Sequence, residues 1–225
     1  MQLAVDGLLD NRQGGMIASG GAQQLRAGSL DNLGGTVNAG DTLDVAVAQT
    51  LDNSAGTLAA NDTLHVQAGR IINRDAGRPN AALDSGPTAG APRLPPSANV
   101  RHAAGASVAL DTGLGGVDNS EGIIAATAGT LDIRSGALEN RAGLLQSSGG
   151  MSIDTHGQRL GNTDAGARGG IVSGAGLTLR AGELDNRAGL VQAQTALDAR
   201  LASLDNRSRP AALGAARGGA WAAVS

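Results

Sequence analysis

The chain has 225 residues, a formal net charge of −3, no cysteine, no phenylalanine or tyrosine, and a single tryptophan, Trp221. Without cysteine there can be no disulfide, thiol nucleophile or cysteine-ligated metal; the composition suits a chain that crosses an envelope unfolded, and equally a cytosolic one. The 17 basic residues are all arginine and are scattered, so there is neither the basic stripe nor the aromatic platform that nucleic-acid binding uses, and no apolar run approaches the roughly 18 residues of a membrane span.

From the start, Met1 to Asn11 has no basic n-region and no apolar core of roughly 7 residues, so it does not read as a signal peptide. Leu3, Val5 and Leu9 instead enter in mid-pattern, with the spacing of Leu177, Leu179 and Leu184, and the chain reads as a segment of something longer. The tripeptide Leu9-Asp10-Asn11 then recurs. Its asparagines stand at Asn11, Asn32, Asn53, Asn73, Asn119, Asn140, Asn162, Asn186 and Asn206, at steps of 21, 21, 20, 46, 21, 22, 24 and 20 residues. A period of this length marks one structural unit repeated along a solenoid.

Each unit has the same internal order. Two residues before the asparagine the side chain is aliphatic: Leu9, Leu30, Leu51, Ile71, Val117, Leu138, Leu160, Leu184 and Leu204. Three residues after it, Gly14, Gly35, Gly56, Gly122, Gly143 and Gly189 stand where a turn with positive φ would want glycine. An apolar residue follows (Met16, Val37, Leu58, Ile124, Leu145, Val191), and then a period-two pair such as Leu43 and Val45, Leu131 and Ile133, or Leu177 and Leu179. Three short alternating stretches bounded by Gly, Asn or Asp predict three strands per unit and no helix. Strands too short to bury themselves are satisfied if the chain coils and each pairs with its copy one turn on. The expected fold is an all-β parallel β-helix of about 21-residue coils, stacked about 4.8 Å apart. A leucine-rich repeat does not fit, since its asparagine comes three residues after the L-x-L pair, whereas Leu177 and Leu179 precede Asn186 by nine and seven.

A neutral amide is both donor and acceptor, so asparagines stacked one coil apart can bond along the axis where carboxylates would repel. Sharing parity with the leucine, the nine asparagines are expected inside, with Asp10 and Arg12 outside. Asp10 with Arg12, Glu139 with Arg141, Asp185 with Arg187 and Asp205 with Arg207 then form an outer stripe of alternating sign.

The period breaks between Asn73 and Val108, a net insertion of 24 residues that holds five of the six prolines (Pro79, Pro87, Pro92, Pro95, Pro96) and reads as an extended loop. Thr163 to Gly170 lengthens one coil, and after Asn206 the pattern stops at Arg209-Pro210. The expected organisation is therefore coils over 1–73, a Pro/Gly-rich loop insertion over 74–107, coils of the same solenoid over 108–207, and a low-complexity tail over 208–225.

The repeat L-D-N-R-x-G, an aliphatic, then L-x-L-x-A-G, best seen at Leu30 to Leu51, Leu138 to Gln146 and Leu177 to Gln192, resembles the haemagglutinin repeats of filamentous haemagglutinin and of contact-dependent inhibition exoproteins. The resemblance spans residues 3 to 207 apart from the proline-rich insertion. It implies a right-handed parallel β-helix shaft, secreted or held at the bacterial cell surface, exported through an outer-membrane two-partner secretion transporter and turned toward a receptor or glycan on a host or neighbouring cell. The family's secretion domain and toxin module have no counterpart in these residues.

Catalytic, cofactor-binding and metal sites are not expected. β-Helical polysaccharide-active enzymes gather carboxylates and bases on one face, and Asp10, Asp31, Asp52, Asp118, Asp185 and Asp205 do form an outward column, but that column belongs to the repeat. His65, His102 and His156 match no metal-ligand spacing. The sequence thus reads as a non-catalytic shaft segment; the alternatives are a polysaccharide-active β-helical enzyme or an inert fragment of a larger exoprotein gene.

Overall fold

In a computed structural model of the chain, the structure describes residues 1–74, 107–166 and 169–208, and 82–85 as backbone. The described residues are strands and turns, with no helix among them. Every strand pairing is parallel, as expected when each strand lies on its copy one coil away. The result is a parallel β-solenoid.

Two sheets make the walls. One contains β1 (Gln2–Asp10), β3 (Gln23–Asp31), β5 (Leu43–Asp52) and β7 (Thr63–Ile72). It continues through β9 (Ser107–Asp111), β10 (Val117–Asp118), β12 (Leu131–Arg134), β13 (Leu138–Glu139), β15 (Met151–Asp154) and β16 (Arg159–Gly161), and ends with β18 (Leu177–Asp185) and β20 (Leu197–Asp205). The other contains β2 (Met16–Ser19), β4 (Thr36–Ala39), β6 (Thr57–Ala60), β8 (Ala82–Ser85), β11 (Ile123–Ala126), β14 (Leu144–Ser147), β17 (Gly170–Ser173) and β19 (Val191–Ala193), stacked in chain order.

The expectation of three strands per unit holds only in the middle coils. At both ends the first two run on as one strand of nine or ten residues, bent in the early coils by register shifts between Val5 and Leu8, Ala27 and Leu30, and Val47 and Thr50. The middle coils break there because a hydroxyl residue turns the chain. Thr112, Ser135 and Thr155 are buried, and their side chains donate to the carbonyls of Gly115, Gly136 and Gln158 at 2.7, 3.0 and 2.7 Å.

The core is a set of like-on-like aliphatic columns. Leu9, Leu30, Leu51, Ile71, Val117, Leu138, Leu160, Leu184 and Leu204 are successive register partners. In the second sheet the column runs Ile17, Val37, Leu58, then past the backbone of β8 to Ile124, Leu145, Ile171 and Val191. Met16, expected in this column, is 74% exposed and Ile17 takes its place. The first turn is one residue longer, with both Gln13 and Gly14 at positive φ, so the strand parity starts one residue later.

Gln23 interrupts another column. It is 2% exposed at a position whose register partners further along are Leu43, Leu64, Val108, Leu131, Met151, Leu177 and Leu197, and neither its amide nitrogen nor its amide oxygen has a hydrogen-bond partner. Burying an unpaired amide costs stability that an apolar side chain of similar size avoids. Gln23→Leu is therefore expected to stabilise the chain by about 1–2 kcal/mol, read as a rise in the urea midpoint at unchanged slope; a fall in the midpoint would contradict the unpaired burial.

Ala82–Ser85 lies inside the segment expected to be loop, yet it is a strand. It sits between β6 and β11 with Leu58, Leu83 and Ile124 in register, so the coil that begins at Asn73 has a rung in both sheets. The five prolines of the insertion and the tail from Arg209 fall outside the described residues.

Candidate functional site

Each residue of the repeated Leu-Asp-Asn turn has a separate physical task. The leucine closes a core column. The aspartate caps the turn, its Oδ1 accepting from the backbone N–H two residues on: Asp10 from Arg12 at 3.1 Å, Asp31 from Leu33 at 3.2 Å, Asp52 from Ser54 at 2.9 Å, Asp118 from Ser120 at 3.1 Å. This is the local side-chain bond that makes aspartate a turn residue.

The asparagines form one unbroken ladder. Nδ2 of each donates to Oδ1 of the next: Asn11 to Asn32 at 2.7 Å, Asn32 to Asn53 at 2.6 Å, Asn53 to Asn73 at 3.0 Å and Asn73 to Asn119 at 2.8 Å. The run continues from Asn119 to Asn140 at 2.7 Å, Asn140 to Asn162 at 2.8 Å, Asn162 to Asn186 at 2.6 Å and Asn186 to Asn206 at 2.7 Å. The second N–H is used as well: Asn11, Asn73 and Asn162 donate to the carbonyls of Thr36, Ile123 and Leu190 at 3.1, 3.2 and 2.9 Å. From Asn32 to Asn162 the side chains are fully buried, and these bonds satisfy amides that burial would otherwise penalise. The Asn73 to Asn119 rung also shows that the insertion leaves the ladder continuous.

Gly14 has the positive φ expected of it, 83°, but the other five glycines have a different reason. Positive φ falls one residue earlier, at Gly34 (66°), Ala55 (51°), Glu121 (60°), Ala142 (54°) and Ala188 (51°). The next residue, Gly35, Gly56, Gly122, Gly143 or Gly189, must lack a Cβ because one would run into the backbone carbonyl of the asparagine one coil back; at Gly143 it would also lie 2.5 Å from Asn140 Oδ1. Ladder and glycine are thus one device, in which the amide column is reached only by a backbone without side chain.

The outer stripe is ionic but is wired differently from expectation. Arg12 pairs with Asp10 at 2.7 Å, Arg187 with Asp185 at 2.7 Å and Arg207 with Asp205 at 2.6 Å, whereas Arg141 pairs with Glu121 at 3.2 Å and leaves Glu139 to Arg159 at 2.8 Å. Arg159 also reaches Asp185 at 2.6 Å. It can do so because Gly161 stands between Glu139 and Asp185 in register and has no side chain, so the guanidinium crosses over it. Asp185, expected outside with the other aspartates, is covered, with 5% of its side chain exposed.

Hydrogen bonds from Arg12 draw the exposed Asp10 carboxyl down to about 2. At Asp118, burial pushes the carboxyl up, but hydrogen bonds from Arg74 and Ser120 outweigh it and leave the group below its ordinary value. At Asp185 the hydrogen bond from Arg187 dominates and, with that from Arg159, holds the carboxyl far below the usual range against burial. The charge on Asp185 therefore stabilises the fold above the ordinary carboxylate value near 3.9, and this contribution is lost as pH falls below it. Asp185→Asn is expected to cost about 1–3 kcal/mol at neutral pH, and the difference between the two thermal transitions should shrink on acidification and close once the lowered folded value is passed; a difference independent of pH would mean the charge is not what matters.

Among the described residues no group of three or more His, Asp or Glu is placed to hold a metal ion, and no helix is long and apolar enough to cross a membrane. His65 stands 3.7 Å from Asp44, His156 bonds the Ser135 carbonyl through Nδ1 at 2.9 Å, and His102 is outside the described residues. An open groove of about 750 Å³ lies along β1, β3, β5 and β7, lined among others by Ala27, Ala46, Ala68, Asp6, Arg26 and Asp111.

The family model of the haemagglutinin repeat matches residues 2–55, 42–78, 97–162 and 152–213. The chain belongs to the haemagglutinin-repeat family. Comparison with curated proteins and with solved structures gives no match. In this haemagglutinin-repeat chain the matched segments cover all nine asparagines, so the family pattern and the amide ladder are the same object seen in sequence and in space.

Proposed function

We propose that the chain is a shaft segment of a secreted or surface-exposed bacterial exoprotein of the adhesin type, a non-catalytic rod that holds a binding segment away from the cell. The observation that carries this reading is the unbroken ladder from Asn11 to Asn206: a stack with no break in its axial bonding bends little and passes load from coil to coil, over a length of about 40 Å at the usual strand spacing. Family membership supports the rest, namely export of the parent exoprotein through an outer-membrane two-partner secretion transporter and a receptor or glycan on a host or neighbouring cell as the target.

The nine asparagines are proposed as structural residues, and the ion pairs of the outer stripe as solubilising contacts worth about 0–1 kcal/mol each where exposed. The rival function, cleavage of a polysaccharide, needs a carboxylate and a base brought together once, at a break in the repeat. Asp118, Asp185 and their neighbours are instead engaged with arginines along the repeat.

In-frame excision of residues 3–207 from the parent exoprotein is the test. Export should persist while attachment to target cells falls, and the purified segment should release no reducing ends from polysaccharides. Undiminished attachment after excision, or turnover by the segment, would refute the shaft.

A further inference from the structure

We propose that the outer face of β9, β12, β15, β18 and β20 is self-complementary in charge and pairs with the same face of a second copy of this chain, the two rods lying antiparallel. This goes beyond a shaft acting alone and gives it a homotypic contact.

The face follows from strand alternation. Leu110, Ile133, Ile153 and Leu179 are buried in the core, so the residues on either side of each point outward. One outer column runs Asp111, Arg134, Asp154, Arg180 and Arg200, in register. Beside it, two residues nearer the strand starts, runs a column of His65, Ala109, Asp132, Ser152, Thr178 and Asp198.

From Asp111 to Arg180 the charges of the first column alternate in sign, and within the chain they are little used. Arg134 comes no nearer than 3.9 Å to Asp132. Arg180 and Arg200 are exposed and have no ion-pair partner among the described residues. Asp111 and Asp154 each use Oδ1 to accept from a backbone N–H, that of Gly113 or His156, both at 2.8 Å. This fixes the carboxylate and leaves Oδ2 for a cation from outside.

An interface about a two-fold axis is reciprocal: where one residue meets a second, the second meets the first. With the rods antiparallel and the axis between the rungs of Arg134 and Asp154, Arg134 faces Asp154 of the second copy and Asp111 faces Arg180, each twice. In the neighbouring column His65 faces Asp198 and Asp132 faces Ser152. Like charges meet nowhere along these rungs. A slip of one rung one way sets Arg134 against itself and Asp111 against Asp154; a slip the other way sets Asp154 against itself and Arg134 against Arg180. Such juxtapositions are what exclude wrong registers. Rods lying parallel and in step set Asp111, Asp154 and Arg180 opposite Ala109, Ser152 and Thr178, so those three charges go unanswered. Copies held by the same end on one surface run parallel, so the antiparallel pairing joins rods from facing surfaces; that consequence rests on the surface-exposed reading above, whereas the pairing itself is tested on the free chain.

The contact is weak, because it consists of exposed ion pairs over a face about 24 Å long. Sedimentation equilibrium of the chain up to about 1 mM should show a dimer that loosens roughly fivefold or more between low salt and about 0.5 M salt. Arg134→Asp and Asp154→Arg, each alone, should weaken it about tenfold. An equimolar mixture of the two variants should return to within about threefold of wild type, because each altered position then meets the other. Effects inside a chain are the same in the mixture as alone, so this recovery reports only on contact between chains. Arg200→Asp, opposite Gln67, should change the dimer less than about twofold. Arg134→Gln, which removes the charge without reversing it, should weaken the dimer about threefold and serves if a reversal disturbs the fold. A monomer throughout the range, or a mixture no tighter than its separate variants, would overturn the pairing. Equal losses from Arg200→Asp and Arg134→Asp would overturn the antiparallel register.

Discussion

Asn140→Asp is expected to cost about 3–5 kcal/mol at neutral pH, because Asn140 is fully buried in the middle of the ladder and its Nδ2 donates to Asn162 Oδ1 at 2.8 Å and to the Gly143 and Gly170 carbonyls at 3.2 and 3.3 Å. A carboxylate there still accepts from Asn119, whose Nδ2 lies 2.7 Å from the Asn140 oxygen, but it turns a lone pair toward three acceptors and carries a charge with no cation beside it. Burial raises the folded-state pKa of such a group above its unfolded value near 3.9. The penalty should therefore be smallest below that value, where the protonated acid can donate to Asn162, grow as pH rises through it, and level off above the folded pKa. Urea midpoints of wild type and variant at pH 3 and pH 8 measure this. Glu139→Gln, one residue away but half-exposed and paired with Arg159 at 2.8 Å, should cost less than about 1 kcal/mol. Equal costs for the two substitutions would mean that the amide column carries no weight.

Gly143→Ala should cost about 2–3 kcal/mol, although it adds a single methyl group to a residue whose φ is ordinary. The methyl would press on the Asn119 carbonyl and lie 2.5 Å from Asn140 Oδ1, so either the coil separation or the ladder must give. The preceding residue responds differently. Ala142 has φ of 54°, a conformation that costs an L-residue roughly 1–2 kcal/mol, so Ala142→Gly relieves strain against a comparable loss of chain entropy and should fall within about 1 kcal/mol of wild type. Thermal unfolding of the two variants decides between close approach and backbone strain as the reason for the repeated glycine: a larger loss in Ala142→Gly than in Gly143→Ala would reverse the assignment.

The coil and its columns are legible in the sequence because two periods act together, about 21 residues between units and two within strands. Leu30, Leu51 and Leu138 identify themselves by recurrence, and recurrence also marks the asparagines. What repetition does not reveal is why a residue repeats. A glycine kept for positive φ and one kept for close approach leave the same trace in sequence, and only the contact of Gly143 with the neighbouring coil separates them. Single events are harder still. Gln23 is one polar residue in an aliphatic column, β8 offers a single aliphatic position in four residues at an irregular distance from Asn73, and the Glu139–Arg159–Asp185 bridge joins groups 20 and 26 residues apart across Gly161. The nearest oppositely charged neighbour in sequence, Arg141, points to Glu121 instead.

The amide ladder also sets how such a chain can change in length. Away from the bends where a register shift takes up one residue, a residue added within a strand would turn that strand's side chains to the opposite wall and carry its asparagine out of the column, so both the core and the axial bonds would oppose it. Added residues survive where the chain returns in phase, as between Asn73 and Asn119, whose amides still meet at 2.8 Å across 46 residues of chain. Growth and loss in this rod are therefore close to quantised: beyond the single residues that a bend in a strand or a longer turn absorbs, it gains or sheds complete turns.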